Sequence, residues 1–120
     1  MLHWVASSGS MDQLDFLLSQ SEIRVNIQNA LGNTPFYVAC LNGRRDVANA
    51  LLARGAALNA TNNAGMTALH AACINCDREI TSLLMEQEGL KATVRDIKGF
   101  QPFHYPIIKN KRAFVAFLFE

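Results

Sequence analysis

Residues 65–73 read GMTALHAAC and residues 32–40 read GNTPFYVAC, so a nine-residue pattern recurs after 33 positions. Both stretches begin on Gly, place Thr two residues later and end on small residues. A weaker copy, GFQPFHYPI, begins 34 residues further along at Gly99, and the opening MLHWVA fits a copy that lacks its first residues. A period of this length predicts an array of structural repeats.

Two further columns keep the same period. Pairs of large apolar residues recur at Leu17-Leu18, Leu51-Leu52, Leu84-Met85 and Leu118-Phe119. A loop column holds Asn26, Asn59 and Thr93. Several independent columns on one period are hard to obtain by chance, so we predict one domain over residues 1–120 with repeats at approximately 1–30, 31–63, 64–97 and 98–120, the first and last incomplete.

The chemistry within one period predicts a pair of helices. A Thr hydroxyl before Pro, as in Thr34-Pro35, can cap a helix that ends near Gly43. A second helix opens near Arg45 and carries an apolar stripe, and an Asn- and Gly-rich stretch then predicts an extended loop or β-hairpin. Helices this short are unstable alone in water, so we expect an all-α solenoid of stacked antiparallel helix pairs.

Three segments, LHWVA at 2–6, TPFYVA at 34–39 and TALHAA at 67–72, resemble the Thr-Pro-Leu-His-x-Ala pattern of the ankyrin-repeat family. Residues 51–59, LLARGAALN, resemble that family's second-helix ending and loop. The resemblance covers essentially the whole chain, best from 29 to 75 and least after 100. It implies an ankyrin-repeat solenoid of about three and a half repeats.

The fourth copy departs most from that pattern. Gln101 replaces the capping Thr, and Pro106 falls inside the first helix, where it removes a backbone donor. We therefore expect this helix to be shortened or bent. Cys76 stands in the third copy where the turn Gly is expected.

The overall composition and net charge favour no particular class of partner. Half of the residues are apolar and the net charge is +1. Residues 91–120 carry six bases and two acids, which we interpret as a solvated face rather than a nucleic-acid or anionic-lipid site. Three cysteines, no apolar run long enough for a membrane span and no recognisable export signal predict an intracellular chain, cytoplasmic or nuclear.

The residue types typical of catalysis fall in structural columns. His3, His70 and His104 share one column, and the resemblance implies that they brace the neighbouring loop. His70, Cys73 and Cys76 could lie on one side of a helix, but zinc usually takes four ligands. We expect no catalytic, cofactor or metal site, and hence no enzyme; the resemblance also makes Asn26 and Asn59 candidates for hydroxylation.

The resemblance implies that another protein is the partner and that it binds on the concave side, across loop tips and first helices. Apolar residues in these positions favour a contact surface. The candidate residues are Trp4, Leu31, Asn33, Leu41, Asn42, Met66, Ile74, Asn75, Phe100 and Tyr105. The function predicted is that of a scaffold, adaptor or regulatory subunit without a small-molecule substrate.

Both ends of the sequence look cut, since it begins inside a first helix without the loop that should precede it. Residues 114–119, FVAFLF, are too apolar for a solvent-facing terminal helix. One interpretation is a segment of a longer array, including a non-catalytic repeat segment of a larger enzyme or channel. The other is that the last helix is covered by another chain or by a second copy.

Overall fold

A computed structural model describes residues 2–8, 11–19, 24–109 and 111–118. In these ranges the secondary structure is helical, with no strand. The helices are α1 (Leu2–Ser8), α2 (Met11–Leu18), α3 (Pro35–Leu41), α4 (Arg45–Ala53), α5 (Ala68–Ile74), α6 (Arg78–Met85), α7 (His104–Ile108) and α8 (Arg112–Leu118). One helix pair falls in each predicted repeat, and Phe119 of the predicted apolar column lies outside the described residues.

The helices form two layers. The first helices stack in the order α1, α3, α5, α7, and the second helices α2, α4 and α6 stack beside them. Buried apolar side chains from both layers make one continuous core, including Leu2, Val5, Leu14, Phe36, Val47, Leu51, Leu69, Ile80, Leu84 and Phe114. This arrangement confirms the predicted all-α solenoid, because each short helix buries its apolar face against the next repeat.

Threonine caps begin the first helices of the two central repeats. The Thr34 hydroxyl accepts from the backbone N–H of Tyr37 at 3.2 Å. In the next repeat, Thr67 accepts from the N–H of His70 at 3.4 Å, and the His70 side chain accepts from the N–H of Thr67 at 3.0 Å. Both predicted helix starts are thus confirmed, and each cap satisfies an amide that the helix itself leaves unpaired.

The loops fold into hairpin turns. Each turn is held by the side chain of one residue of a repeat column that contains Asn29, Asn62 and Asp96. Each of these side chains accepts two backbone N–H bonds, as Asn62 does from Ala64 at 2.9 Å and Met66 at 3.0 Å. Adjacent turns are joined by backbone bonds from Asn63 to Leu31 at 3.0 Å and from Ile97 to Ala64 at 2.9 Å. The tips of three repeats therefore form one hydrogen-bonded row.

Close contact between these turns explains Gly32. Its φ is +78°, and a Cβ there would lie 2.8 Å from the backbone nitrogen of Asn63. A side chain at this position would therefore both strain the turn and separate two repeats.

Pro106 shortens the fourth first helix, as predicted. Helix α7 has five residues, whereas α3 and α5 have seven. A full helix would need an N–H at position 106 to donate to the carbonyl of Pro102, and proline has none. The chain instead makes tighter turns before α7, with His104 donating to Gln101 at 3.1 Å and Tyr105 to Pro102 at 3.3 Å.

The histidine column braces neighbouring loops. His3 Nε2 lies 2.6 Å from the carbonyl oxygen of Asn33, and His70 Nε2 lies 3.0 Å from that of Phe100. Each imidazole thus joins a first helix to the hairpin of the following repeat. This confirms the structural role predicted for His3 and His70.

Candidate binding surface

A groove of about 520 Å³ lies where the hairpin tips meet α3. We call the surface made by the hairpin tips and the helices α1, α3, α5 and α7 the tip–helix face. The groove is lined by residues of three successive tips and of α3: Leu31, Asn33, Tyr37, Leu41, Asn62, Asn63, Ala64 and Ile97. No charged side chain stands among these lining residues.

The rim of the groove is apolar and open to solvent. Leu31 is 67% exposed in the hairpin before α3, and Ile97 is 76% exposed in the hairpin before α7. Leu41, at the end of α3, is 37% exposed. Three large aliphatic side chains in one open groove are typical of a contact surface, since an isolated exposed apolar residue needs no explanation but a contiguous set does.

The floor of the groove is polar and fixed in place. Asn33 is buried, and its Oδ1 accepts from Asn62 Nδ2 at 2.9 Å. The Tyr37 hydroxyl points to Met66 Sδ at 3.9 Å, and burial raises the pKa of this hydroxyl against an opposing hydrogen bond with Asn62. These bonds fix the floor of the groove in place.

An aromatic cluster occupies the same face at the fourth repeat. The rings of Phe100 and Tyr105 meet edge to face with centroids 5.7 Å apart, and Tyr105 meets His70 in the same way at 6.2 Å. The Tyr105 hydroxyl donates to the Asp96 carboxylate. Burial is the main cause that raises the pKa of Tyr105 to about 12, and the hydrogen bond and negative charge of Asp96 raise it further.

Asp96 joins that cluster to the hairpin tip. Its Oδ1 accepts from the N–H groups of Lys98 at 2.9 Å and Phe100 at 3.0 Å. Burial alone would raise the pKa of this carboxyl, but the bonds from Tyr105, Phe100 and Lys98, with the nearby His70, lower it. The fourth tip therefore keeps a carboxylate where the other two tips use asparagine.

The candidate residues fall into three groups by exposure. Those exposed are Trp4, Leu31, Leu41, Asn42 and Asn75; those half-buried are Met66, Ile74, Phe100 and Tyr105; the buried one is Asn33. Leu31, Leu41 and Asn33 come together in the groove. Asn33, a predicted loop-tip candidate, is buried because its carbonyl and side chain both join neighbouring repeats.

Two candidates lie elsewhere or are already engaged. Trp4 lines a cleft between α1 and α2 at the outer side of the first repeat, together with Asp12 and Phe16. Asn75 donates to the carbonyl of Leu41 at 2.6 Å and so links two first helices.

Sequence reasoning missed Ile97 and Tyr37. Ile97 stands in the column of Ala30 and Asn63, one position before the predicted tip residues. A β-branched apolar residue inside a turn is unusual, and this was the signal present in the sequence. Tyr37 stands in the column that holds His3, His70 and His104, so its position indicated a structural role only.

The described residues contain no group of three or more His, Cys, Asp or Glu side chains able to hold a metal ion. Cys40, Cys73 and Cys76 are free thiols. Burial raises the pKa of Cys40, and burial followed by the nearby Cys76 raises that of Cys73 to about 12. Both thiols therefore stay protonated near neutral pH and are poor nucleophiles or metal ligands.

The two asparagines considered for hydroxylation also join repeats. Asn59 Nδ2 donates to the carbonyl of Gly89 at 2.8 Å and its Oδ1 accepts from Lys91 at 2.8 Å. Asn26 makes the equivalent bonds to Gly55 and Ala57. Their hydroxylation stays a prediction.

Within the described ranges, every helix is too short to span a membrane.

Two family models match the sequence. One, described as ankyrin repeats (many copies), covers residues 2–52, and the other, described as ankyrin repeats (3 copies), covers residues 53–120.

Proposed function

The chain belongs to the ankyrin-repeat family, whose repeats generally mediate protein–protein interaction, and we propose that it binds a partner protein through the groove on its tip–helix face. One observation carries the proposal: the exposed side chains of Leu31, Leu41 and Ile97 converge on one groove of about 520 Å³. Ankyrin-repeat domains are typically non-catalytic binding modules, which agrees with this assignment.

The lining of the groove indicates what kind of segment it fits. Its open rim is aliphatic, and the polar atoms of Asn33 and Asn62 in its floor are bonded to each other. An uncharged stretch carrying large aliphatic or aromatic side chains would bury apolar area against the rim. A charged side chain in the same place would lose its hydration without gaining a partner.

The partner segment is also expected to carry an acidic residue at one end. Lys98 is exposed at the fourth tip, one residue beyond Ile97. A carboxylate beside the apolar anchor would face this ammonium group at the rim. Rim charges of this kind affect orientation and association rate more than affinity.

Pre-organisation of the tips favours binding. Backbone bonds from Asn63 to Leu31 and from Ile97 to Ala64 hold the three tips in register without a partner. Because the tips are already ordered, association loses less conformational entropy than it would with flexible loops. The residues proposed to contact the partner are Leu31, Tyr37, Leu41, Ala64 and Ile97, with Met66 and Phe100 at the margin.

A peptide-display selection tests this proposal and needs no candidate partner. Random peptides are selected on the immobilised chain, and the affinity of each selected peptide is then measured for the variants Leu31→Asp and Ile97→Asp. Met85→Asp is the matched control, since Met85 is 49% exposed on α6 and does not line the groove.

We expect the selected peptides to be rich in large apolar residues. Each groove variant should weaken their binding by about tenfold or more, because loss of a buried anchor typically costs about 1–2 kcal/mol or more. The control should bind as the wild type does. Peptides that bind the groove variants and the wild type equally would place the binding surface elsewhere.

A further inference from the structure

The turns between the first and second helices carry a row of basic residues. An arginine begins the second helix in three successive repeats: Arg45 in α4, Arg78 in α6 and Arg112 in α8. Arg44 and Lys111 stand directly before two of them, and all of these side chains are exposed. We call the surface made by these turns and helix starts the turn edge.

The turn edge is continuous and lies away from the groove. Arg78 Nη2 donates to the carbonyl oxygen of Ala113 at 3.5 Å, so α6 and α8 begin side by side. Arg45 and Glu79 line one cleft, so α4 and α6 do the same. The first helices begin at the hairpins and end at these turns. The turn edge and the hairpin tips therefore lie at opposite ends of the first helices.

One cleft on the turn edge carries both signs of charge, and we call it the mixed cleft. It has a volume of about 260 Å³ and is lined by residues of the first three repeats. Its ionisable lining residues are two bases and two acids: Arg44, Arg45, Asp46 and Glu79. The lining of the mixed cleft is thus neutral in sum.

The next cleft along the turn edge carries only positive charge, and we call it the basic cleft. It has a volume of about 360 Å³, and its walls come from the third and fourth repeats. Three bases line it, Arg78, Lys111 and Arg112, and within the described part of the chain no acidic side chain is among its lining residues. Both walls belong to repeats inside the chain.

Two columns of the repeat account for this difference. The column that holds Asp46 and Glu79 has Ala113 in the fourth repeat, and the column that holds Asp77 has Lys111. The fourth repeat therefore removes an acid from one position and places a base at the other.

Asp77 is the acid closest in sequence to the basic cleft, but it faces the second repeat. Its Oδ1 accepts from the N–H of Ile80 at 3.1 Å and so caps α6. Its Oδ2 would lie 3.0 Å from a Cβ at Gly43. Burial, and then the charge of Asp77, raises the pKa of Cys40. Because Gly43 and Cys40 both belong to the second repeat, this carboxylate does not balance the bases of the basic cleft.

The charges of the basic cleft favour an oxyanion. Three like charges in one cleft repel each other, and an anion that enters relieves this repulsion. A guanidinium group can also donate two parallel hydrogen bonds to one carboxylate. Carboxylates therefore match the two arginines of the cleft in geometry as well as in charge.

The neighbouring mixed cleft limits which anion fits. A nucleic acid or an anionic membrane is negative along its whole length, so along the turn edge it would also meet Asp46 and Glu79. A peptide can carry its acidic residues opposite the basic cleft alone. The two clefts together thus favour a peptide over a uniformly charged partner.

We propose that the basic cleft binds an acidic segment of a partner protein, whose carboxylates face Arg78, Lys111 and Arg112. Two of these bases, Lys111 and Arg112, belong to the C-terminal stretch that the sequence predicts as a solvated face. The basic cleft shares no lining residue with the groove of the tip–helix face, so the site does not depend on the proposed function.

Fluorescence anisotropy with a labelled peptide of alternating glutamate and serine tests the binding. The chain is titrated to about 1 mM, and a peptide with glutamine in place of glutamate is the control. We expect saturable binding of the glutamate peptide that weakens as salt rises from about 50 to about 300 mM. Failure of the glutamate peptide to bind, or equal binding of both peptides, would overturn the proposal.

Ala113→Glu tests the position of the site without removing a base. It gives the basic cleft the acid that Glu79 gives the mixed cleft, and an acid in the first turn of a helix is favourable, so the variant should fold. We expect the glutamate peptide to bind about tenfold more weakly or worse. Unchanged binding by this variant would place the peptide elsewhere.

Arg112→Glu should weaken binding in the same way. Its matched control is Arg54→Glu, the same charge change at an exposed arginine that ends α4 and lines neither cleft. Equal weakening by these two variants would show that the peptide responds only to net charge, which would also overturn the site. Circular dichroism of each variant checks that it is folded.

Two further probes identify the class of partner: a single-stranded oligonucleotide of the same charge as the peptide, and vesicles that contain phosphatidylserine. Tighter binding of either probe, lost in Ala113→Glu, would replace the acidic peptide by a nucleic acid or a membrane. Ile97→Asp, which disables the groove, should bind the glutamate peptide as the wild type does. Failure of the groove and failure of the basic cleft are therefore distinguishable.

Discussion

His70 Nε2 donates to the carbonyl oxygen of Phe100 across 3.0 Å, and this bond joins the third repeat to the hairpin of the fourth. The direction of the bond follows from the other ring nitrogen, since Nδ1 accepts from the backbone N–H of Thr67 at 3.0 Å and so carries no proton. One buried imidazole therefore caps its own helix and holds the next loop. The hairpin that it holds carries Ile97, so this structural residue also positions the proposed binding surface.

Replacing His70 with Ala should destabilise the fold strongly. The substitution leaves the N–H of Thr67 and the carbonyl of Phe100 without their partner and opens a cavity in a fully buried position. We expect a loss of about 2–4 kcal/mol in the free energy of unfolding. Urea denaturation followed by circular dichroism measures it.

His104→Ala is the matched control for this loss. His104 stands in the same column but is half-buried, so its removal should cost about 1 kcal/mol or less. Equal losses for the two variants would argue against a special role for the bond to Phe100.

Thr81 should be a site where substitution stabilises the protein. Its hydroxyl is fully buried and has no hydrogen-bond partner, and the second repeat has Ala48 in the same column. Thr81→Val keeps the shape and removes the unsatisfied group, so we expect a gain of about 1 kcal/mol. The urea midpoint should rise, whereas Thr67→Val should lower it, because the Thr67 hydroxyl caps α5. A lower midpoint for Thr81→Val would mean that its hydroxyl is satisfied in solution.

Cys76 and Gly43 occupy equivalent turns of the third and second repeats. Both have a positive φ, +52° for Cys76 and +71° for Gly43. A non-glycine residue is strained in this left-handed conformation. Cys76→Gly should therefore raise stability by about 0.5–1 kcal/mol, and Gly43→Ala should lower it by a similar amount. A Cβ at position 43 would also lie 3.0 Å from Asp77 Oδ2. Thermal unfolding of both variants checks the prediction, and a Cys76→Gly protein less stable than the wild type would show that packing of the thiol outweighs the strain.

Asp96 should make the stability of the fourth hairpin depend on pH. Hydrogen bonds lower the pKa of its carboxyl below the ordinary value of 3.8, so the folded protein holds the proton less tightly than the unfolded chain does. The stabilisation is therefore complete above pH 3.8 and is lost as the pH falls below it towards the folded pKa. Burial is the largest single influence and raises this pKa, but the hydrogen bonds from Tyr105, Phe100 and Lys98, together with His70, outweigh it.

Asp96→Asn tests this dependence with little change in shape, since Asn29 and Asn62 make the same turn bonds in the other repeats. At neutral pH the variant should be less stable than the wild type. The difference should shrink as urea midpoints are measured at falling pH. A difference that stays constant down to strong acid would show that the charge of Asp96 contributes nothing.

The composition of the groove depended on contacts that the sequence did not reveal. The family resemblance predicts Leu31 as a loop-tip residue, and it lies at the rim of the groove. Ile97 escapes such a prediction, since its column holds Ala30 and Asn63, and no periodic signal marks it. Asn33 is predicted as a loop-tip residue, and hydrogen bonds to His3 and Asn62 place it in the floor of the groove and not at its rim. Each of these outcomes is a contact between residues about 30 positions apart.

The sequence by itself determined the repeat, the helix starts at Thr34 and Thr67 and the short helix at Pro106, and the family resemblance added the loop-bracing histidines. These features depend on local chemistry, such as a hydroxyl that caps a helix or a proline that cannot donate a hydrogen bond. They also depend on the sequence period, which stacked repeats share. Only the tertiary structure decided which side chains meet in the groove. Those choices depend on distances between repeats, and the hydrogen bonds and packing that set them exist only when the repeats are stacked.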